Sequence, residues 1–333
     1  MEERPRTDPD ESLTILGAGV AGLCAATELV GRGWPVRLLD PAGPPGEHGC
    51  SWWAGGMLAP WCEGETAEEP VVRLGEEAAG WWERHVDCVT REGSLVVALG
   101  RDQREIDRFA RRTRAHETVG AERISELEPD LAGRFPRGLL FPGEAHLDPR
   151  AALAQLVEGL AARGVAIERQ HGEPGAGWTL DCRGLAARDR LADLRGVKGE
   201  MVVLRCPEVR LHRTVRLLHP RIPLYIVPRG EGVYMLGATS IESGERHRAT
   251  VRSVLELLSA AFALHPSFGE GELLEIGVDA RPAFPDHLPA VRREGRTLFL
   301  NGLYRHGFLL APALARQAAE LLETEHAASI DRP

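Results

Sequence analysis

Apolar and polar residues alternate along the chain with several distinct periods, and each period predicts an element. Leu13 to Leu16 is a short, nearly continuous apolar run, the pattern of a buried strand. Gly17-Ala18-Gly19-Val20-Ala21-Gly22 reads as a turn, and the next helix reaches about Val30, where Gly31 and Gly33 end it. Val36 to Leu39 predicts a second strand, closed by Asp40. Further on, Asp148-Pro149 marks a helix start, with the acid as N-cap and proline in the first turn. Leu153, Leu156, Val157 and Leu160 give this helix an apolar stripe, Gly164 stops it, and Val165 to Ile167 predicts another strand. Leu224 to Thr239 alternates around Pro-Arg-Gly-Glu-Gly and predicts a β-hairpin. Val251, Val254, Leu255, Leu258 and Phe262 share one face of a predicted helix. Pro282, Pro285 and Pro289 impose an extended loop before the last segment. Residues 63–70 (EGETAEEP) read as an acidic surface loop. The Arg-rich stretch from Arg101 to Arg114, anchored by Ile106 and Phe109, reads as a solvated helix face.

Composition narrows the class. A chain of 333 residues is long for one core and fits about two domains. Its 43% apolar content supports a globular interior, and no apolar run approaches a membrane-spanning length. A net charge of −9 disfavours nucleic acid as a partner. The six cysteines show no CxxC spacing, which argues against a zinc site and a disulfide scaffold and for a reducing compartment, the cytoplasm. The charged, proline-bearing start is no secretory signal, and residues 1–11 are expected to be a disordered tail.

Two glycine-rich turns carry the chemistry. The first lies in a strand-turn-helix-strand order that ends in an acid, which is the dinucleotide-binding arrangement. Gly17 permits the tight turn, Gly19 lets the backbone approach a pyrophosphate, and Gly22 lets helix and strand pack closely. The helix N-terminus offers free N–H groups to phosphates, and Asp40 stands where an acid accepts from a ribose. The second turn is NGLYRHGFLLAP, Asn301 to Pro312, in which Gly302 and Gly307 bracket Tyr304, Arg305 and His306 at the mouth of a last helix. It suits a flat or anionic ligand. Pro312 is expected in the first turn of that helix, where its missing donor costs little.

Four stretches together resemble the FAD-dependent D-amino-acid oxidase family, and within it the glycine oxidases of thiamine biosynthesis. They are GAGVAG, SWWAGGMLAP (51–60), YIVPRGEGVYMLGAT with DARPAFPD, and NGLYRHGFLLAP. The resemblance implies an α/β plus α+β fold: a doubly wound, Rossmann-like FAD-binding domain with an antiparallel-sheet substrate domain over the flavin. Residues 12–85, 145–200 and 283–325 would form the first, and 86–144 with 201–282 the second. Gly17, Gly19, Val20, Ala21 and Gly22 would hold the pyrophosphate and Asp40 the ribose. Ser51, Gly55, Gly56 and Met57 would line the flavin ring. Gly302, Leu303, Tyr304, Arg305, His306, Gly307, Phe308 and Leu309 would hold its pyrimidine end. The N–H groups of Gly307 to Leu309 would face the negative charge of the reduced ring. The FAD is expected to be noncovalent, because Trp53 stands where relatives with a histidyl-linked flavin carry histidine.

The same resemblance assigns the substrate residues. Arg281 matches the arginine that holds a substrate carboxylate, a task suited to the guanidinium fork. Tyr225 matches its hydrogen-bonding tyrosine, Arg305 is a second position near the substrate, and Met57 lines the pocket. The implied reaction is oxidative deamination of glycine or another small amino acid to the imine or 2-oxo acid. Hydride passes to flavin, oxygen becomes hydrogen peroxide, and the product feeds thiazole synthesis. A homo-oligomer and a thiazole-synthesis partner are further implications. Two rivals stand beside it: a sarcosine or D-amino-acid dehydrogenase that reduces a quinone, and a noncatalytic FAD-binding scaffold docking through the Arg101–Arg114 helix. The chain departs from the family pattern at Asp279-Ala280, where Gly-Leu is usual, and in a shortened stretch from Val165 to Cys182. Trp52 and Trp53 replace small residues and are expected to pack in the core or beside the flavin.

Overall fold

The computed structural model describes residues 13–173, 177–219 and 224–330, so the tail expected over 1–11 lies outside the described residues. Leu13–Leu16 forms a strand paired in parallel with Val36–Leu39 on one side and Thr179–Asp181 on the other. The six-stranded sheet around it runs Ala290–Glu294, Thr297–Asn301, Thr179–Asp181, Leu13–Leu16, Val36–Leu39, Ile167–Glu168, and only the first strand is antiparallel to its neighbour. A parallel sheet needs helical cover because its crossovers carry helices. Helices Val20–Gly31, Pro149–Ala162 and Gly307–Ile330 share one core with Leu13, Ile15 and Leu38. Asp148 caps the second of these through the N–H groups of Arg150 (2.7 Å) and Ala151 (3.1 Å).

The second large sheet has nine strands among the described residues. Its order is Ile241–Glu242, Arg195–Arg205, Val233–Gly237, Leu224–Pro228, Thr214–Leu218, Ser94–Ala98, Arg137–Phe141, Glu117–Gly120, and Glu272–Ala283 pairs along Arg195–Arg205. All its ladders are antiparallel except Ser94–Ala98 with Thr214–Leu218. The predicted hairpin is the pair Leu224–Pro228 and Val233–Gly237. The expected boundary at 200/201 falls inside Arg195–Arg205, one unbroken strand of 11 residues, so the chain has already entered this sheet by residue 195. A small sheet of Met57–Leu58, Ala145–Leu147 and Val89–Thr90 completes the strand pairing described here.

Three readings of the pattern need correction. Helix Val251–Leu264 buries Leu257, Ala260, Ala261 and Leu264, whereas Val251, Leu255 and Phe262 are exposed. Val254 and Leu258 of the predicted stripe pack half-buried against the same core, so the buried face is rotated relative to the predicted one. Glu63 is not on a surface loop: it ends the helix Pro60–Glu63 and is buried. Pro312 is not in the first turn either, since the helix starts at Gly307 and Pro312 lies within it. A proline there leaves the carbonyl four residues earlier, that of Phe308, without its helical donor. The indole N–H of Trp82 donates to that carbonyl at 2.8 Å, and its ring stacks on Phe308. Among the described residues no helix is long and apolar enough to cross a membrane, and all six thiols are free.

Candidate active site

A cavity of about 410 Å³ runs between the two large sheets. Of the residues expected around a cofactor or substrate, Gly17, Gly19, Val20, Ala21, Asp40, Ser51, Gly55, Gly56, Met57, Tyr225, Arg281 and Leu303 to Leu309 line it, while Gly22 and Gly302 do not. Gly22 is required by the protein itself, because a side chain there would overlap the Gly17 carbonyl oxygen. At Gly19 the opposite holds. An added Cβ would meet only the Ser51 hydroxyl, at 3.3 Å, so the room above this glycine belongs to the cavity. Gly302 is set by its positive φ of 78° and by the Phe284 ring pressed against it.

Polar groups converge on the same space. Ser51 Oγ accepts from the N–H of Val20 at 3.1 Å, at the start of helix Val20–Gly31. Asp40 accepts from the N–H groups of Ala18 (2.8 Å) and Ala42 (2.9 Å), and each oxygen keeps a lone pair for another donor. At the far end the first helical bond of Gly307–Ile330 runs from Leu310 N–H to the His306 carbonyl. The N–H groups of Gly307, Phe308 and Leu309 therefore find no acceptor in the helix and border the cavity. Space at Gly19, an acid at Asp40 and two helix N-termini aimed at one cleft fit FAD.

The second sheet supplies the substrate side. Arg281 lies opposite Val197 on paired strands, and its guanidinium occupies the space left by the missing side chain of Gly199. It donates to the Thr239 carbonyl at 3.1 Å and, among the described residues, has no carboxylate partner. Tyr225 is wedged between Gly55 and Gly237. Burial raises its pKa, against the opposing effect of Arg281, so its hydroxyl stays protonated. Met201 and Trp53 pack beside Tyr225 and wall in this end of the cavity. The peptide N–H of Tyr304 donates to the Pro282 carbonyl at 2.8 Å, which ties the last turn to the residue after Arg281.

Arg305 is placed differently from Arg281. Its Nε and Nη2 donate to Glu63 Oε2 at 2.9 and 2.6 Å, and Nη2 also donates to Thr66 Oγ1. Glu63 also binds Arg216, and His306 Nε2 lies 3.0 Å from Oε2. Burial alone would push the Glu63 carboxyl up, but Arg305, Arg216 and His306 together hold it well below the usual range. Since an ionised carboxylate only accepts, His306 carries its proton on Nε2. Burial lowers the pKa of His306, keeping it neutral.

Several residues at the site had no sequence signal. Glu63 was hidden in an acidic run, and Arg216 in an ordinary strand. Arg229, from the hairpin turn, is buried and donates to the carbonyls of Leu147 (2.6 Å), Ala54 (3.1 Å) and Gly55 (2.9 Å), so it fixes the loop that borders the cavity. Burial depresses its pKa to about 10. Asp279, at the departure from the family pattern, is buried and paired with Arg246, which also donates to the His48 carbonyl.

Comparison with known proteins agrees with this architecture. Residues 12–321 match the DAO family, described as FAD dependent oxidoreductase. The chain is 54% identical over 317 residues to a Rhizobium etli protein named as a thiamine biosynthesis oxidoreductase, ThiO, covering 94% of this chain and 97% of that protein. It is 28% identical to the glycine oxidase of Pseudomonas aeruginosa, over 94% of each chain. The solved structure of glycine oxidase from Geobacillus kaustophilus shares the fold, with a TM-score of 0.79 over 94% of each chain at 24% identity. The cofactor is FAD, and the chain belongs to the DAO family of FAD dependent oxidoreductases.

Proposed function

We propose that the protein oxidises glycine, or another amino acid with a small side chain, to the imine and then the 2-oxo acid. Oxygen is reduced to hydrogen peroxide, and the product serves thiazole synthesis in thiamine biosynthesis, in the cytoplasm. The observation that carries this reading is the Arg281 guanidinium, which lines the cofactor cavity with no carboxylate partner among the described residues. A guanidinium left so in a partly dry site needs an anion, and an amino-acid carboxylate supplies two parallel charged hydrogen bonds. The Tyr225 hydroxyl adds a donor to the same group. Met201, Trp53 and Tyr225 restrict the space beyond, which favours a small side chain.

Bound FAD supplies the oxidising power that removes a hydride equivalent from the carbon bearing the amine. The chain's part is orientation. Arg281 and Tyr225 hold the carboxylate, which fixes the direction of the neighbouring C–H bond. The N–H groups of Gly307 to Leu309 present positive dipole ends to charge that develops at the cofactor. Glu63 and Asp279 are committed to arginines, so neither is placed to take the ammonium proton, and the substrate binds as the neutral amine. Anaerobic titration of the holoenzyme with glycine, sarcosine and D-alanine tests the reading. Bleaching of the yellow colour by glycine, and its return in air with peroxide, is expected. A flavin that no small amine bleaches overturns it, and one that bleaches but is indifferent to air points to a dehydrogenase.

A further inference from the structure

Arg281 and Arg305 both line the substrate end of the cavity, yet of the two only Arg281 has no carboxylate partner among the described residues. Arg305 is committed to Glu63 through both Nε and Nη2. Glu63 is in turn gripped from the opposite side by Arg216, on strand Thr214–Leu218. With one oxygen held from the sheet and the other from the last turn, the carboxylate cannot swing away from Arg305, and its three partners keep it ionised. We propose that Glu63 is a specificity-determining residue: by occupying Arg305 it limits the site to substrates with a single carboxylate and rejects amino acids that carry a second acid group. This rests on the reading that the substrate is an amino acid held at Arg281.

The charges support it. Arg281 and Arg305 line this end of the cavity with Glu63 between Arg305 and Arg216, which lies behind it. A single substrate carboxylate at Arg281 meets an unpaired partner. A second carboxylate reaching toward Arg305 meets a cation whose Nε and Nη2 edge is already taken by Glu63 and Thr66, so it cannot form two parallel bonds along that edge, and beside it lies the negative charge of Glu63. It would be desolvated without gaining that bidentate contact and repelled as well, which is exclusion by an unfavourable contact rather than by size. Without the Glu63 charge, Arg305 becomes a second unpaired guanidinium on the same cavity wall, and a substrate with two carboxylates can bridge Arg281 and Arg305.

The test uses the holoenzyme and anaerobic flavin reduction, comparing D-alanine with D-aspartate. Wild type should favour D-alanine strongly. Glu63→Gln, with FAD retained, should shift the D-aspartate to D-alanine ratio of kcat/KM by about tenfold or more, with an absolute gain on D-aspartate. Glu63→Asp, which keeps the charge, should stay near the wild-type ratio. The double change Glu63→Gln with Arg305→Met should lose the gain, since it removes the vacated guanidinium. An unchanged ratio in Glu63→Gln, or a gain that survives loss of Arg305, overturns the proposal. If Glu63→Gln does not fold, Arg305→Met alone decides. It should reduce glycine turnover far less than Arg281→Ala, and an equal loss refutes the idea that Arg305 is already occupied. Failure of wild type to oxidise any amino acid would refute the functional reading instead, through a separate measurement.

Discussion

Replacing Arg281 by alanine removes the guanidinium that, among the described residues lining the cavity, has no carboxylate partner and is proposed to hold the substrate. Among the described residues the side chain has one hydrogen bond, to the Thr239 carbonyl, and it fills a notch above Gly199, so the fold loses little when it is shortened. The substrate loses much more. Its carboxylate would still enter a partly dehydrated site but find only the Tyr225 hydroxyl. Breaking one side of such a pair costs about 3–5 kcal/mol, equivalent to roughly two to four powers of ten in kcat/KM. Arg281→Lys should restore only part, because an ammonium cannot form two parallel bonds. Tyr225→Phe should cost less, about 1.5–3 kcal/mol, for one hydrogen bond to a charge. FAD content, read from absorbance, should remain normal in all three. Steady-state oxidation of glycine against an amine without a carboxylate is the assay, and only the former should respond to Arg281→Ala. Amino-acid turnover that survives the substitution intact would refute the argument and move the carboxylate elsewhere in the cavity.

Other predictions follow from the same geometry. Acid precipitation should release the yellow colour from the protein, and colour retained in the pellet would show a covalent flavin. His146 is buried beside Arg229, and burial first, then that charge, depresses its pKa to about 4. The folded state resists a proton that the unfolded chain accepts near pH 6.5. Its stabilising effect, about 3 kcal/mol at neutral pH, is therefore lost as pH falls from about 6.5 through 4. His146→Gln should flatten unfolding free energy against pH over that window, and an unaltered slope would contradict the assignment. Trp82→Phe keeps the stack on Phe308 but removes the donor to its carbonyl, and should lower stability by about 1–3 kcal/mol in denaturant unfolding.

Local signals carried much of this structure, and long-range pairing decided the rest. The strand, glycine turn, helix and acid from Leu13 to Asp40 are contiguous, and each residue's task follows from its neighbours in sequence. The same is true of Asp148-Pro149 and of the hairpin around Arg229. Glu63 could not be read this way: its burial depends on Arg216 and Arg305, which join it only when both sheets are assembled. Pro312 inside a helix looked like a boundary signal because its compensation comes from Trp82, which no helical rule anticipates. The inner face of Val251–Leu264 differs from the predicted stripe because that stripe passed over Ala260 and Ala261, which are buried there beside Leu257 and Leu264.

If the site works as proposed, the bond from Tyr304 N–H to the Pro282 carbonyl joins two binding events. A ligand that immobilises Arg281 also restrains Pro282, and through its carbonyl the turn that opens the Gly307–Ile330 helix. A cofactor held at that turn, as proposed, would send its restraint back along the same bond. Linkage then requires reciprocity: whatever factor FAD contributes to the affinity for a carboxylate ligand, that ligand contributes to the affinity for FAD. Apoprotein would meet amino acids with a loosened arginine, and inert carboxylates would slow loss of the cofactor from the holoenzyme.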